Sequence, residues 1–174
     1  MNNKVALFEK VSYEQFKKDW ESTFSNVSYT DEEIKYIYDG IKLPERATVG
    51  SAGYDFVSPI SFTLFQEETI KIPTGIRCSI DNGWVLMCYP RSSMGFKYRM
   101  QIDNTCGIID SDYYNANNEG HIFFKISCDS YKAETSMDIN EGDAFVQGIF
   151  IPFGITKNDD TDGIRYGGIG STSK

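Results

Sequence analysis

A chain of 174 residues with 17 Lys+Arg against 25 Asp+Glu, a formal net charge of -8, is long enough for one domain with a real core and lacks the basic surface that a general grip on nucleic acid requires. Its four cysteines (Cys78, Cys88, Cys106, Cys128) are widely spaced and His121 is its single histidine, which argues against a structural zinc site and for buried free thiols. MNNKVALFEK lacks the apolar core of a secretory signal and no apolar run approaches a membrane span, so a reducing, cytoplasmic setting without membrane contact is expected.

The first forty residues read as helical. Ser12-Tyr-Glu-Gln15 has the form of a capping box, and Phe16, Trp20 and Phe24 follow at four-residue intervals, the spacing of one helix face. Thr30-Asp-Glu-Glu33 repeats the capping signal before Ile34, Ile37 and Tyr38, and Gly40 supplies a stop. Helices are predicted over about 12–24 and 31–39, with their aromatic face on the main body. From Ile41 onward the pattern is β. Runs rich in Ile, Val, Phe, Tyr and Thr are punctuated by Pro-Thr-Gly at 73–75, DNG at 81–83 and EGD at 141–143. Strands are predicted at Thr69–Ile72, Trp84–Tyr89, Tyr98–Asn104, His121–Cys128 and Ala144–Pro152. Many short strands with frequent turns imply a sandwich, jelly roll or barrel. Thr156–Lys174 is polar, Asp-rich and Gly-rich, and its composition alone reads as a frayed tail.

Five segments could carry chemistry. Gly50-Ser-Ala-Gly-Tyr-Asp55 joins a bend to a carboxylate. Pro90-Arg-Ser-Ser-Met-Gly95 puts Arg91 and two hydroxyls where a turn or helix start exposes N–H groups to phosphate. NTCGIIDSDYYN (104–115) sets Asp110 and Asp112 on the same side of a predicted strand, as either a decorated hairpin or a reaction site. Gly142-Asp-Ala-Phe-Val-Gln147 leads a turn into a strand, and Gly167-Gly-Ile-Gly-Ser-Thr172, preceded by Arg165, could fold over a polyphosphate. A negative global charge does not prevent a few arginines and backbone N–H groups from holding one.

Taken in order, SAGYD (51–55), PRSSMG (90–95), NTCGIIDSDY (104–113), GDAFVQ (142–147) and RYGGIGST (165–172) resemble the five motifs of the trimeric, all-β dUTP pyrophosphatases, the dUTPases. The resemblance runs from about Leu43 to Thr172. It implies a mainly β fold, a dUTPase-like distorted jelly roll or β-barrel with an N-terminal helical extension. The division it implies is an extension over 1–40, a β core over 41–155, and a C-terminal arm over 156–174 that closes a neighbouring active site. The implied reaction is hydrolysis of dUTP to dUMP and pyrophosphate, which limits uracil entry into DNA and supplies dUMP for thymidylate synthesis. Asp110 would hold and activate the water. Tyr113 would lie against the deoxyribose, with no room for a 2′-hydroxyl. Asn104 and the backbone near Gly107 and Ile109 would pair with uracil. Arg91, Ser92, Ser93, Gly95, Gln147, Arg165, Gly168, Ile169, Gly170, Ser171 and Thr172 would serve the phosphates or cover the nucleotide. Asp55 would sit, through water, near a Mg²⁺ held mainly by phosphate oxygens. The implied partners are dUTP and dUMP and two further copies of the chain in a homotrimer.

The sequence departs from the family pattern in places. Ala144 replaces the usual arginine after Gly-Asp. Ile169 stands where an aromatic usually covers uracil, so Phe96 or Phe124 is expected to substitute. Tyr114–Gly120 (YNANNEG) is longer than the usual turn. Two other readings remain: a dCTP deaminase of the same fold, with Glu119 as its nearest carboxylate, and a non-catalytic nucleotide-binding regulator.

Overall fold

The computed structural model describes residues 3–129 and 136–168. Strand β1 (Ala6–Lys10) leads into α1 (Tyr13–Thr23) and α2 (Asp31–Gly40). The expected caps are present: Ser12 Oγ accepts from the Gln15 N–H, and Thr30 and Glu33 complete a reciprocal capping box. Each pairs N–H groups that a helix start otherwise leaves open. At α1 the reciprocal arm comes from far along the chain, because the Ser12 N–H and hydroxyl both donate to the Glu119 carboxylate at 2.7 Å. Phe16, Trp20 and Ile34 are fully buried. Trp20 packs its ring 5.2 Å from Phe16 and 4.7 Å from Phe24, as residues four apart on a helix should.

The remaining strands are β2 (Tyr54–Val57), β3 (Phe62–Leu64), β4 (Thr69–Pro73), β5 (Ile76–Ile80), β6 (Trp84–Pro90), β7 (Met100–Ile102), β8 (Gly107–Ile109), β9 (Phe123–Cys128), β10 (Met137–Ile139) and β11 (Ala144–Pro152). All pairings are antiparallel, in sheets ordered β2-β11-β6-β8, β4-β9-β7, β1-β5 and β10-β3. Short helix α3 (Ser92–Tyr98) joins β6 to β7, and a 3-10 turn (Ser111–Asn115) follows β8.

Three local expectations are corrected. The segment 98–104 is not one strand: Tyr98 closes α3, and Arg99 turns left-handed at φ 50 before β7 begins. The first forty residues hold a strand as well as helices. β1 pairs with β5 from Ala6↔Ile80 to Lys10↔Ile76, but only Phe8 of its five residues is buried, so it lacks the alternation that marks a strand. Asp110 and Asp112 do not share a strand side, because β8 stops at Ile109 and Asp110 caps the 3-10 turn.

Phe8, Val11, Phe16, Trp20 and Ile34 belong to the same buried cluster as Ile72, Leu86, Phe124 and Phe145. Each such side chain contributes roughly 1.5–3 kcal/mol of burial before entropy is counted. The helices therefore form one wall of the core. All four cysteines are free thiols, and burial raises the Cys78 thiol to about 12. No helix among the described residues is long and apolar enough to cross a membrane.

Candidate active site

Strands β7, β8 and β9 and the turn after β8 enclose a cavity of about 570 Å³, large enough for a nucleotide's base and sugar. Its lining brings together Asn104, Gly107, Ile109, Asp110, Tyr113, Arg165 and Gly168 from the predicted set. The turn between β7 and β8 that carries Asn104 is tight: the Thr105 N–H donates to the Ile102 carbonyl and the Cys106 N–H to the Asn104 carbonyl, both at 2.7 Å. Gly107 sits where a Cβ would lie 3.2 Å from Cys88 Cβ across the sheet. A glycine there lets β8 press against β6 and leaves its backbone bare at the cavity edge.

Tyr113 is buried, with its ring in the cavity wall. Its hydroxyl donates to the His121 carbonyl at 2.7 Å and accepts from Asn118 Nδ2 at 2.9 Å. Burial raises its pKa, with a smaller opposing pull from the Asn118 bond, so the phenol is neutral at ordinary pH.

The tail up to Gly168 runs along this same cavity. Tyr166 accepts the Asn117 N–H through its carbonyl at 3.0 Å. Arg165 Nη2 donates to Asp110 Oδ2 at 2.7 Å, and its Nε lies 3.1 Å from Asp112 Oδ1. The first contact is a hydrogen-bonded ion pair. The second is an ion pair whose angle falls outside hydrogen-bond geometry, leaving Nε without a formal partner. One guanidinium thus bridges both aspartates that the sequence singles out. Ile169, Gly170, Ser171 and Thr172 lie outside the described residues.

The other predicted residues gather elsewhere. Arg91 Nε lies 3.2 Å from Asp55 Oδ1, Gln147 is the register partner of Asp55, and Gln147 Nε2 donates to the Pro90 carbonyl at 3.3 Å. Ser92, Ser93 and Gly95 lie on α3 directly after Arg91, with both serines exposed. Asp55 stands on β2, at one edge of the sheet ordered β2-β11-β6-β8, and Gly107 on β8 at the other. Three strand steps separate them, roughly 14 Å. Neither Asp55 nor Arg91, Ser92, Ser93, Gly95 or Gln147 lines the cavity. As for metal, Asp55 stands beside Arg91, and no group of three or more His, Cys, Asp or Glu suited to a metal occurs among the described residues. Such a donor set suits an ion held chiefly by substrate oxygens and water rather than by a protein cage.

Of the two candidate substitute rings, Phe124 lines the cavity while Phe96 stands almost fully exposed on α3. Several lining residues escaped the sequence reading. Lys71 and Lys125 face each other across β4 and β9; Lys71 lies over the Phe123 ring at 4.3 Å and Lys125 pairs with Asp103 at 2.8 Å. Both strands were predicted, and the two lysines could have been found by aligning their exposed faces. Fully buried His121, the single histidine and the first residue of the strand predicted at 121–128, lies behind the cavity wall against Phe123. Glu119, the carboxylate considered for a deaminase, caps α1 and does not line the cavity.

Comparison with known proteins places the chain. The dUTPase family model matches residues 39–172. The deoxyuridine 5'-triphosphate nucleotidohydrolase of Lactococcus lactis subsp. lactis (strain IL1403) is 38% identical over 141 residues, covering 79% of this chain and 92% of its own. That of Legionella pneumophila (strain Paris) is 36% identical over 146 residues, covering 79% and 91%. The crystal structure of dUTPase from Streptococcus mutans superposes with a TM-score of 0.61 at 32% identity, covering 86% of this chain and 97% of that one. The dUTPase from phage phi11 of S. aureus shares the fold at 23% identity and a TM-score of 0.58, covering 72% and 92%; the structure of a point mutant of that enzyme reveals the coordination of a structural Mg(II) ion. The fold is the dUTPase-like jelly roll, and the chain belongs to the dUTPase family of enzymes.

Proposed function

We propose that this enzyme hydrolyses dUTP to dUMP and pyrophosphate by attack of water on the α-phosphorus. The observation that carries the reading is the convergence of Asn104, Gly107, Asp110 and Tyr113 on one cavity. Asn104 and the bare backbone at Gly107 and Ile109 read the uracil edge. A cytosine there leaves buried polar groups unpaired, which rejects it strongly. The Tyr113 ring closes the space beside C2′. Asp110 accepts a proton from the attacking water. Arg165 pairs with this carboxylate; in this reading its guanidinium serves the phosphates and Asp110 serves the water.

The phosphates need the second group: Arg91, Ser92, Ser93 and Gly95 at the start of α3, and Gln147. Because none of these residues lines the cavity that holds Asn104, Asp110 and Tyr113, a complete site in this reading draws on another copy of the chain, in a homotrimer. In this reading residues 1–40 extend the common core of 41–155, and the 156–174 arm with Ile169, Gly170, Ser171 and Thr172 covers the nucleotide. Mg²⁺ would be held by phosphate oxygens and waters, with Asp55 as the chain's own contribution through water. When bound it neutralises charge on the triphosphate. The reading also includes a cytoplasmic setting, supported by the free thiols.

The test is incubation with dUTP or dCTP and Mg²⁺, scored for pyrophosphate and ammonia. Pyrophosphate from dUTP alone is expected, falling at least ~100-fold in Asp110→Asn. Undiminished release from that variant would remove Asp110 from its role. Ammonia from dCTP would favour a deaminase, and no product from either a nucleotide-binding regulator.

A further inference from the structure

Tyr113 is anchored by a loop that is itself tied to the N-terminal segment. Its hydroxyl is held by His121 and Asn118, both in the stretch that follows it. That stretch makes four hydrogen bonds, through three residue pairs, to residues 9–19. Tyr114 Oη donates to Glu9 at 2.5 Å. Ser12 donates through its N–H and hydroxyl to Glu119. His121 Nδ1 lies 2.6 Å from Asp19 Oδ2. The partners are more than 100 residues apart in sequence, so none of these contacts is a by-product of local turn geometry.

The His121–Asp19 contact is the most constrained. The imidazole is fully buried, wedged with its centroid 4.3 Å from the Phe123 ring in the cavity wall. Its Nε2 accepts the Gly75 N–H at 2.8 Å. A backbone N–H can only donate, so Nε2 carries no proton. The ring's single proton is then on Nδ1 and donates to Asp19. Both ring nitrogens are used, and the residue's carbonyl receives the Tyr113 hydroxyl. Gln15 Nε2 donates to the same Asp19 oxygen at 2.8 Å, fixing the carboxylate from the helix side.

We infer that Asp19, on the first helix, is a positioning residue for the sugar specificity of this enzyme: through His121 it sets the place of Tyr113 beside C2′ of the nucleotide. The inference rests on the proposed dUTP-binding site. The extension at 1–40 is thereby part of the device that separates deoxyribo- from ribonucleotide. Without Asp19 the imidazole keeps its burial but loses one of two fixed directions, and the His121 carbonyl and the Tyr113 ring gain freedom. A loose ring excludes a 2′-hydroxyl less well while leaving Asp110 untouched.

The experiment compares kcat/KM for dUTP and UTP in the full chain and in Asp19→Ala and Asp19→Asn. Asp19→Ala is expected to lower the dUTP-over-UTP ratio by roughly tenfold, mainly through a better KM for UTP, with kcat on dUTP kept within about threefold. Asp19→Asn, whose amide oxygen still accepts from Nδ1, is expected to restore the ratio; a merely structural role would not separate these variants by sugar preference. An unchanged ratio in Asp19→Ala overturns the inference. Should that variant fail to fold, Tyr114→Phe, which removes only the hydroxyl bond to Glu9, decides in the same way with an expected loss of about threefold. If the parent chain releases no pyrophosphate, the functional reading fails separately. Equilibrium binding of non-hydrolysable dUTP and UTP analogues to the same variants then gives the ratio, and equal binding of both analogues by the parent overturns the inference as well.

Discussion

Gly120 ends the stretch after Tyr113 in a left-handed conformation, φ +71. A Cβ built there would lie 2.7 Å from the Tyr113 carbonyl oxygen, 2.7 Å from Tyr114 Cα and 3.1 Å from the Tyr114 carbonyl oxygen. All three neighbours are main chain, so no side-chain rotation relieves the contact. Gly120→Ala therefore adds roughly 1–2 kcal/mol for the left-handed backbone and about 1–3 kcal/mol for overpacking, together roughly 2–5 kcal/mol. Taking ~3 kcal/mol, a domain of this size should lose about 6–12 °C in Tm. Unfolding is measured by differential scanning calorimetry at one fixed protomer concentration, since assembly shifts the midpoint by mass action. Gly154→Ala is the control: nothing lies within 4 Å of its Cβ position, and its effect should stay within about 0.5 kcal/mol. A Gly120→Ala variant that melts within about 2 °C of the parent would refute the reasoning, because it would mean that the loop gives way freely.

Two further outcomes follow from the same region. Ser12→Ala and Glu119→Ala should each cost about 1 kcal/mol by urea denaturation, with a double-mutant coupling near 1 kcal/mol; additivity to within about 0.3 kcal/mol would dissolve the cap between loop and helix. Burial lowers the pKa of His121, outweighing the upward pull of Asp19. The unfolded chain therefore takes up a proton first as pH falls below about 6.5, and stability declines from there down to the folded-state pKa, by at most roughly 1.4 kcal/mol per pH unit. His121 is the only histidine, so melting between pH 7 and 5 should lose most of its slope in His121→Gln; a slope unchanged in that variant would assign it to other groups.

What could be read in advance was local. The caps at Ser12 and Thr30, the four-residue aromatic spacing and the β-forming run at His121–Cys128 each express a preference settled within a turn or two of chain. The segment at 104–113 was legible because its residue types are unusual together, and the cavity gathers Asn104, Gly107, Asp110 and Tyr113. The misses are relations between distant places. β1 is defined by its pairing to β5, not by its own pattern. Asp19 and His121 lie 102 positions apart, and no periodicity links them. The break at Arg99 is a single backbone rotation inside a run whose composition suits a strand.

The match to the dUTPase family begins at residue 39, whereas the packing does not. A strand and three of the largest buried side chains, Phe16, Trp20 and Ile34, precede that point. A boundary drawn by likeness and one drawn by cohesion thus differ here by about the whole of the first helical pair. Protein cut at the likeness boundary would leave β5 as a bare edge open to neighbouring chains, with apolar surface exposed where α1 and α2 had lain. For this molecule the segment that precedes the family match is also one on which its core depends.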